Sequence, residues 1–186
     1  SQASINFKEL LIDEEIETFI NDKIHFSGLL TFSKNVVANI VVDEVSKEID
    51  GNKVTSAKAF GHFTLEDSKR LYGDFNWSGL TAKTSDESFT LGKLQFSLDQ
   101  TLIAGDYFQG TAIATGKFDF SLDSIAAKDT DNNAVFSLDD ILINAVSALN
   151  DDLMTVTMKY RAGKVEFEGQ KLEDANLTLL VSDLNI

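Results

Sequence analysis

Apolar and polar residues alternate with period two along most of the chain, the signature of β-strands that bury one face. The longest run lies around Phe108 to Leu122. There Phe108, Gly110, Ala112, Ala114, Gly116, Phe118, Phe120 and Leu122 alternate with Gln109, Thr111, Ile113, Thr115, Lys117, Asp119 and Ser121. Fifteen extended residues would span roughly 50 Å, so the pattern predicts an unusually long strand or one bent at its glycines. Shorter runs repeat it, including Ile24-x-Phe26-x-Gly28-x-Leu30, Ala59-x-Gly61-x-Phe63-x-Leu65, Met154-x-Val156-x-Met158-x-Tyr160 and Ala175-x-Leu177-x-Leu179-x-Val181.

Turn-forming clusters separate the runs, among them Glu66-Asp67-Ser68-Lys69, Ala104-Gly105-Asp106 and Asn150-Asp151-Asp152. Their spacing predicts about ten strands in a mainly β, long, curved, antiparallel meander whose apolar concave face closes over its own core. An internal echo accompanies the meander: Phe96-Ser97-Leu98-Asp99, Phe120-Ser121-Leu122-Asp123 and Phe136-Ser137-Leu138-Asp139, with looser copies at Phe63-Thr64-Leu65-Glu66 and Phe89-Thr90-Leu91-Gly92. Its irregular spacing indicates repeated hairpins and not a solenoid. Phe7 to Asn21 departs from the pattern: Ile12, Ile16, Phe19 and Ile20 form one stripe, which predicts a short helix for the sheet to pack on. Residues 140 to 149 fit helix or strand, because Ile141, Ile143 and Ala145 alternate inside a continuously apolar run.

Composition narrows the function classes. Across 186 residues there is no proline and no cysteine, where average usage of about 5 % would give roughly nine prolines. Long hydrogen-bonded ladders account for the first absence, since proline cannot donate to them. The second excludes disulfides, thiolate catalysis and cysteine-ligated metals. The length and the 43 % hydrophobic content suit a single β-rich domain over residues 1–186. A net charge of −14 argues against nucleic acid or an anionic membrane surface as partner.

Candidate chemistry is sparse. His25 and His62 both fall at outward positions of strands, which leaves no Ser-His-Asp or Cys-His scheme. No glycine-rich phosphate loop occurs. Asp129, Asp131, Asn133 and Asp140, with Ser137, fall on the spacing of a twelve-residue calcium loop. However, Ala134 stands where the sharp turn wants glycine, and Asp140 stands where the reach of Glu is needed, so a polar hairpin turn is the better reading. Phe75 and Trp77 share a strand face beside Gly73 and Gly79, an arrangement read as core packing. The small residues Gly110, Ala112, Ala114 and Gly116 between Phe108 and Phe118 leave room on one face for a hydrophobic ligand, or for large side chains from a facing element. No cofactor is implied.

The C-terminal half, roughly residues 86 to 186, carries a serial pattern. Phe89-Thr90-Leu91-Gly92-Lys93-Leu94-Gln95-Phe96-Ser97-Leu98 is followed by Phe136-Ser137-Leu138-Asp139-Asp140-Ile141, by Val165 to Leu172, and by a closing Leu177 to Asn185. It resembles the YdgA-like family of bacterial proteins of unknown function. The resemblance implies a Gram-negative protein held at the inner membrane by an N-terminal segment outside this sequence, with a large β-rich periplasmic part of which this chain is a fragment. It brings no catalytic residues. The expectation is therefore a non-enzymatic periplasmic scaffold or binding domain that meets a protein partner, or itself, through strand edges. The alternative is a carrier of lipid or another hydrophobic ligand on the sheet face.

Overall fold

The computed structural model describes residues 23–31, 35–49, 52–129, 134–167 and 169–185. The expected helix at Phe7–Asn21 lies outside them. The described residues form one open antiparallel sheet of thirteen strands: β1 (Ile24–Leu30), β2 (Val36–Val42), β3 (Val45–Ile49), β4 (Asn52–Ser56), β5 (Ala59–Glu66), β6 (Arg70–Trp77), β7 (Leu80–Lys83), β8 (Ser88–Leu91), β9 (Leu94–Ala104), β10 (Ile113–Lys128), β11 (Ala134–Asn150), β12 (Leu153–Phe167) and β13 (Gln170–Asn185). The ambiguous residues 140–149 are strand, inside β11.

The register reduces thirteen strands to nine long ones. Val42 faces Ala59 at the end of β2, and Val45 faces Ser56 at the start of β3, so three steps separate the partners in both chains and the ladder resumes without a slip. The same holds where β4 passes into β5, β6 into β7, and β8 into β9, each along an unshifted neighbour. β10 spans the break without ending, pairing with β9 through Leu122 and with β8 from Ile125. Each long strand pairs with the next in sequence, as short hairpin turns require.

The interruptions form a seam across the sheet. It runs through Asp43–Glu44, Ala57–Lys58, Ser78–Gly79, Gly92–Lys93, Asp123 and Asp140, and reaches Gly163 opposite Asp174. At the seam the period-two pattern slips by one. Val42 and Val45, Trp77 and Leu80, Leu91 and Leu94, Leu122 and Ile125, and Leu138 and Ile141 are apolar pairs spaced by three. A regular strand would send the members of each pair to opposite faces. The Trp77 indole Nε1 nevertheless donates to Ser56 Oγ at 3.1 Å and to the Ala57 carbonyl at 3.0 Å, so it reaches across the seam to a residue in the row of Val45 and Leu80. One extra residue per strand, as in a β-bulge, keeps the apolar side chains on one face of the whole sheet. Left-handed or positive φ at Gly79 (109°), Asp140 (53°) and Asp174 (51°) marks where the backbone absorbs it.

Below the seam the core lies on that face of the central strands. Phe96 stacks on Phe75 at 5.4 Å and on Phe63 at 5.8 Å, and lies 6.3 Å from Phe118. Gly61 faces Phe75 and Gly73 faces Phe63 across the β5–β6 ladder, so each ring covers the bare backbone opposite. Ala59, Leu65 and Leu122 are the buried apolar residues. Every substantial contact between strands is between ladder neighbours, so no second layer covers the apolar face among the described residues. The expected closure over a core of its own is thus corrected: the sheet stays open. A meander of consecutive hairpins closes only if its first and last strands meet, and among the described residues β1 and β13 remain edges.

Candidate functional site

The residues singled out for a ligand do not form one row. Phe108 and Gly110 lie in the turn between β9 and β10, and Ala112 precedes the strand, so the strand expected from Phe108 begins only at Ile113. Asp106 makes the difference. Its Oδ1 accepts the backbone N–H of Phe108 at 2.7 Å and of Gln109 at 3.3 Å, a local alternative to extended structure. Phe108 is left 77 % exposed at the tip. Ala114, Gly116 and Phe118 do lie in β10, but the space above Gly116 is taken. A Cβ there would sit 2.0 Å from the carbonyl oxygen of Asp99 and 2.8 Å from the Cα of Gln100. This glycine admits the backbone of β9 and leaves no room for a ligand.

The calcium candidates are only partly within the described residues. Asp131 and Asn133 fall outside the described residues. Ser137 is paired with Ala126 and Glu166 inside a ladder, and Asp140 lies in the seam, so the second half of the supposed loop is strand. Among the described residues no group of three or more His, Asp or Glu side chains is placed to hold a metal. His25 Nε2 lies 3.0 Å from Asp43 Oδ2 at an exposed position, and His62 Nδ1 lies 2.7 Å from Asn39 Oδ1 in the polar row facing away from the phenylalanines.

Two charged clusters shape the polar surface. Arg70 donates through Nε and Nη2 to the two carboxylate oxygens of Asp99, both at 2.9 Å, and its guanidinium lies 5.1 Å from the Tyr72 ring centre. These hydrogen bonds hold the Asp99 carboxyl below its ordinary range. Glu166 accepts Lys164 Nζ at 2.7 Å, with Lys171 Nζ at 3.6 Å. The Lys164 hydrogen bond is the main cause that lowers its pKa. Both clusters join neighbouring strands and converge on no cleft. The grooves lie along the seam: one of about 670 Å³ beside Ser46, Ser56, Gly79, Thr81 and Gly92, and a smaller one between Asp123, Asp140 and Arg161.

The outstanding surface is the C-terminal edge. β11, β12 and β13 are 17, 15 and 16 residues long. Along Gln170–Leu184 every residue except Ala175 is exposed. Leu177, Leu179 and Val181 lie on the sheet's apolar face, while Leu180, 66 % exposed, lies on the other. Among the described residues only one rim of β13 is paired, with β12. Sequence reasoning found the strand and its apolar face but missed that one leucine, Leu180, stands exposed on the opposite face among Asn176, Thr178 and Ser182. The signal was the unbroken Leu179-Leu180-Val181.

The open antiparallel sheet defines a mainly β protein. The chain belongs to the family described as bacterial protein of unknown function, DUF945, whose family model matches residues 7–186. No curated protein and no solved structure matches it.

Proposed function

We propose that this protein is a non-enzymatic binding platform that engages a protein partner through the C-terminal flap formed by β11, β12 and β13. The observation that carries the reading is β13. Its apolar face, with Leu177, Leu179 and Val181, and Leu180 on the other face are exposed, and among the described residues one rim pairs with nothing, which forgoes hydrophobic stabilisation and leaves backbone donors to water. Soluble proteins usually protect such edges with charges, proline or a covering element. Strand addition would satisfy the rim through backbone hydrogen bonds, while side chains on alternate positions supply selectivity.

The periplasmic, membrane-tethered setting belongs to the same proposal and is supported by the YdgA-like sequence pattern. Cell fractionation of the full-length protein tests it, and recovery in the cytosol would overturn it.

A photo-crosslinking residue at Leu180, compared with one at Thr115, tests the platform in living cells. Discrete protein adducts at 180 and none at 115 are expected. If neither position forms a protein adduct and native mass spectrometry shows a bound lipid, the platform reading falls in favour of a hydrophobic-ligand carrier.

A further inference from the structure

Ala175–Ser182 carries no charge, whereas Lys171, Glu173 and Asp174 precede it and Asp183 follows it. Positive φ at Asp174 (51°) and Asp183 (59°) breaks the extended geometry at both ends, so the eight residues form a straight segment of defined length. The other edges differ. β3 has five residues, including Lys47 and Glu48, and β1 has seven, interrupted by Gly28.

Resting on the binding-platform reading and naming its partner, we propose that β13 pairs antiparallel with β13 of a second copy of this chain about a two-fold axis at Leu179. Such an axis, perpendicular to the sheet, keeps each face on its own side, so a residue meets only residues of its own face. With the axis at Leu179, that residue faces its counterpart, Leu177 faces Val181 of the partner subunit, and Thr178 faces Leu180 of the partner subunit. Asp174 falls opposite Leu184 of the partner subunit, and Asp183 opposite Ala175 of the partner subunit, so no like charges meet head-on.

Neighbouring registers are worse. An axis at Thr178 sets Glu173 against Asp183 of the partner subunit, and an axis at Leu180 sets Leu177 against that aspartate. Larger shifts carry Asp174 or Asp183 past the terminal Ala175 and against the leucines and Thr178 inside the run. The charge pattern thus selects one self-complementary alignment. Because pairing uses an edge and few side chains, the dimer is expected to be weak and concentration-dependent, with a dissociation constant on the order of micromolar.

The absence of cysteine makes the test direct. Single variants Leu177→Cys, Leu179→Cys and Val181→Cys of the 186-residue chain are oxidised mildly at concentrations bracketing the micromolar range, with circular dichroism confirming that each is folded. Leu179→Cys is expected to give a disulfide-linked dimer. Leu177→Cys and Val181→Cys should crosslink only when mixed with each other, because each lies four residues from its own counterpart.

The inference is overturned if Leu179→Cys stays monomeric, or if Leu177→Cys alone crosslinks as readily as Leu179→Cys. A monomeric Leu179→Cys together with adducts to another protein at Leu180 in cells would reject the second copy and leave the platform reading standing. Failure of both would reject both.

Discussion

Replacing Gly79 with alanine tests whether the seam is a built feature of the backbone. Gly79 has φ of 109°, outside the range of L side chains, and holding alanine there costs about 1–3 kcal/mol. A Cβ would also sit 2.3 Å from the Leu91 carbonyl oxygen and 2.9 Å from that of Gly92, about 1 Å short of ordinary contact at the closer approach. Relieving that contact means displacing β8 from β7, where Leu80 pairs with Leu91. It also threatens the bond by which the Ala57 N–H donates to the Gly79 carbonyl at 2.9 Å. Losing that bond adds about 1 kcal/mol, for a total of about 2–4 kcal/mol.

With a urea slope of about 2 kcal/mol per molar, the midpoint should fall by roughly 1–2 M with the slope unchanged. Trp77, the single tryptophan, spans the seam and reports it by fluorescence, while circular dichroism follows the sheet. Gly28→Ala is the control. Nothing approaches its Cβ closer than 3.9 Å, and its φ is not positive. A more restricted unfolded chain should leave that variant unchanged or stabilised by about 0.5 kcal/mol. A Gly79→Ala midpoint within about 0.3 M of wild type would show that the backbone at the seam adapts freely, and the argument from φ and close contact would be wrong.

Two further predictions concern side chains. Phe96→Ala removes the ring at the centre of the Phe63, Phe75 and Phe118 cluster; because the site is half-buried, the loss should be about 2–3 kcal/mol by urea titration, and a loss under about 1 kcal/mol would mean the open sheet gains little from this packing. Glu166→Gln tests linkage. Because Lys164 lowers the folded-state pKa of Glu166, that carboxylate contributes stability above its unfolded pKa and loses it as pH falls through the folded value. Thermal melts between about pH 6 and 3 should therefore show a shallower acid decline in the variant than in wild type, and parallel curves would refute the assignment.

Much of the fold was legible because an antiparallel sheet writes its faces into alternate residues. Ile24 to Leu30, Ala59 to Leu65 and Met154 to Tyr160 are strands where alternation places them. Alternation misled at Phe108 to Ala112, where the period-two pattern continues but the Asp106 carboxylate captures the backbone into a turn. A pattern of hydrophobicity does not register a hydrogen bond two residues upstream. The small-residue row raises a related point: a glycine leaves space, but only the structure shows that the Asp99 carbonyl lies where a side chain at Gly116 would begin. The opposite-face position of Leu180 was readable from three consecutive apolar residues, yet a one-faced view of strands passes over it.

The recurrent Phe-x-Leu-Asp element joins these observations. In Phe120-Ser121-Leu122-Asp123 and Phe136-Ser137-Leu138-Asp139, as in Phe89-Thr90-Leu91-Gly92, the phenylalanine and leucine are the last two apolar positions before the seam; Asp123 and Gly92 lie in it, and Asp139 is the residue just before it. The copies approach from opposite sides on β10 and β11, as antiparallel neighbours must. In these three copies the repeat leads into the seam, whereas Phe96-Ser97-Leu98-Asp99 lies within the continuous ladder of β9. Aspartate and glycine tolerate unusual backbone geometry better than most residues, and the seam draws on both at Gly79, Asp140 and Asp174. The insertion keeps a sheet of nine long strands apolar on one side from end to end. On β13 the same chemistry recurs with a different result: Asp174 and Asp183 bracket eight uncharged residues whose outer rim has no strand beside it. The device that maintains the sheet's face along its length also sets the length of the edge offered for pairing.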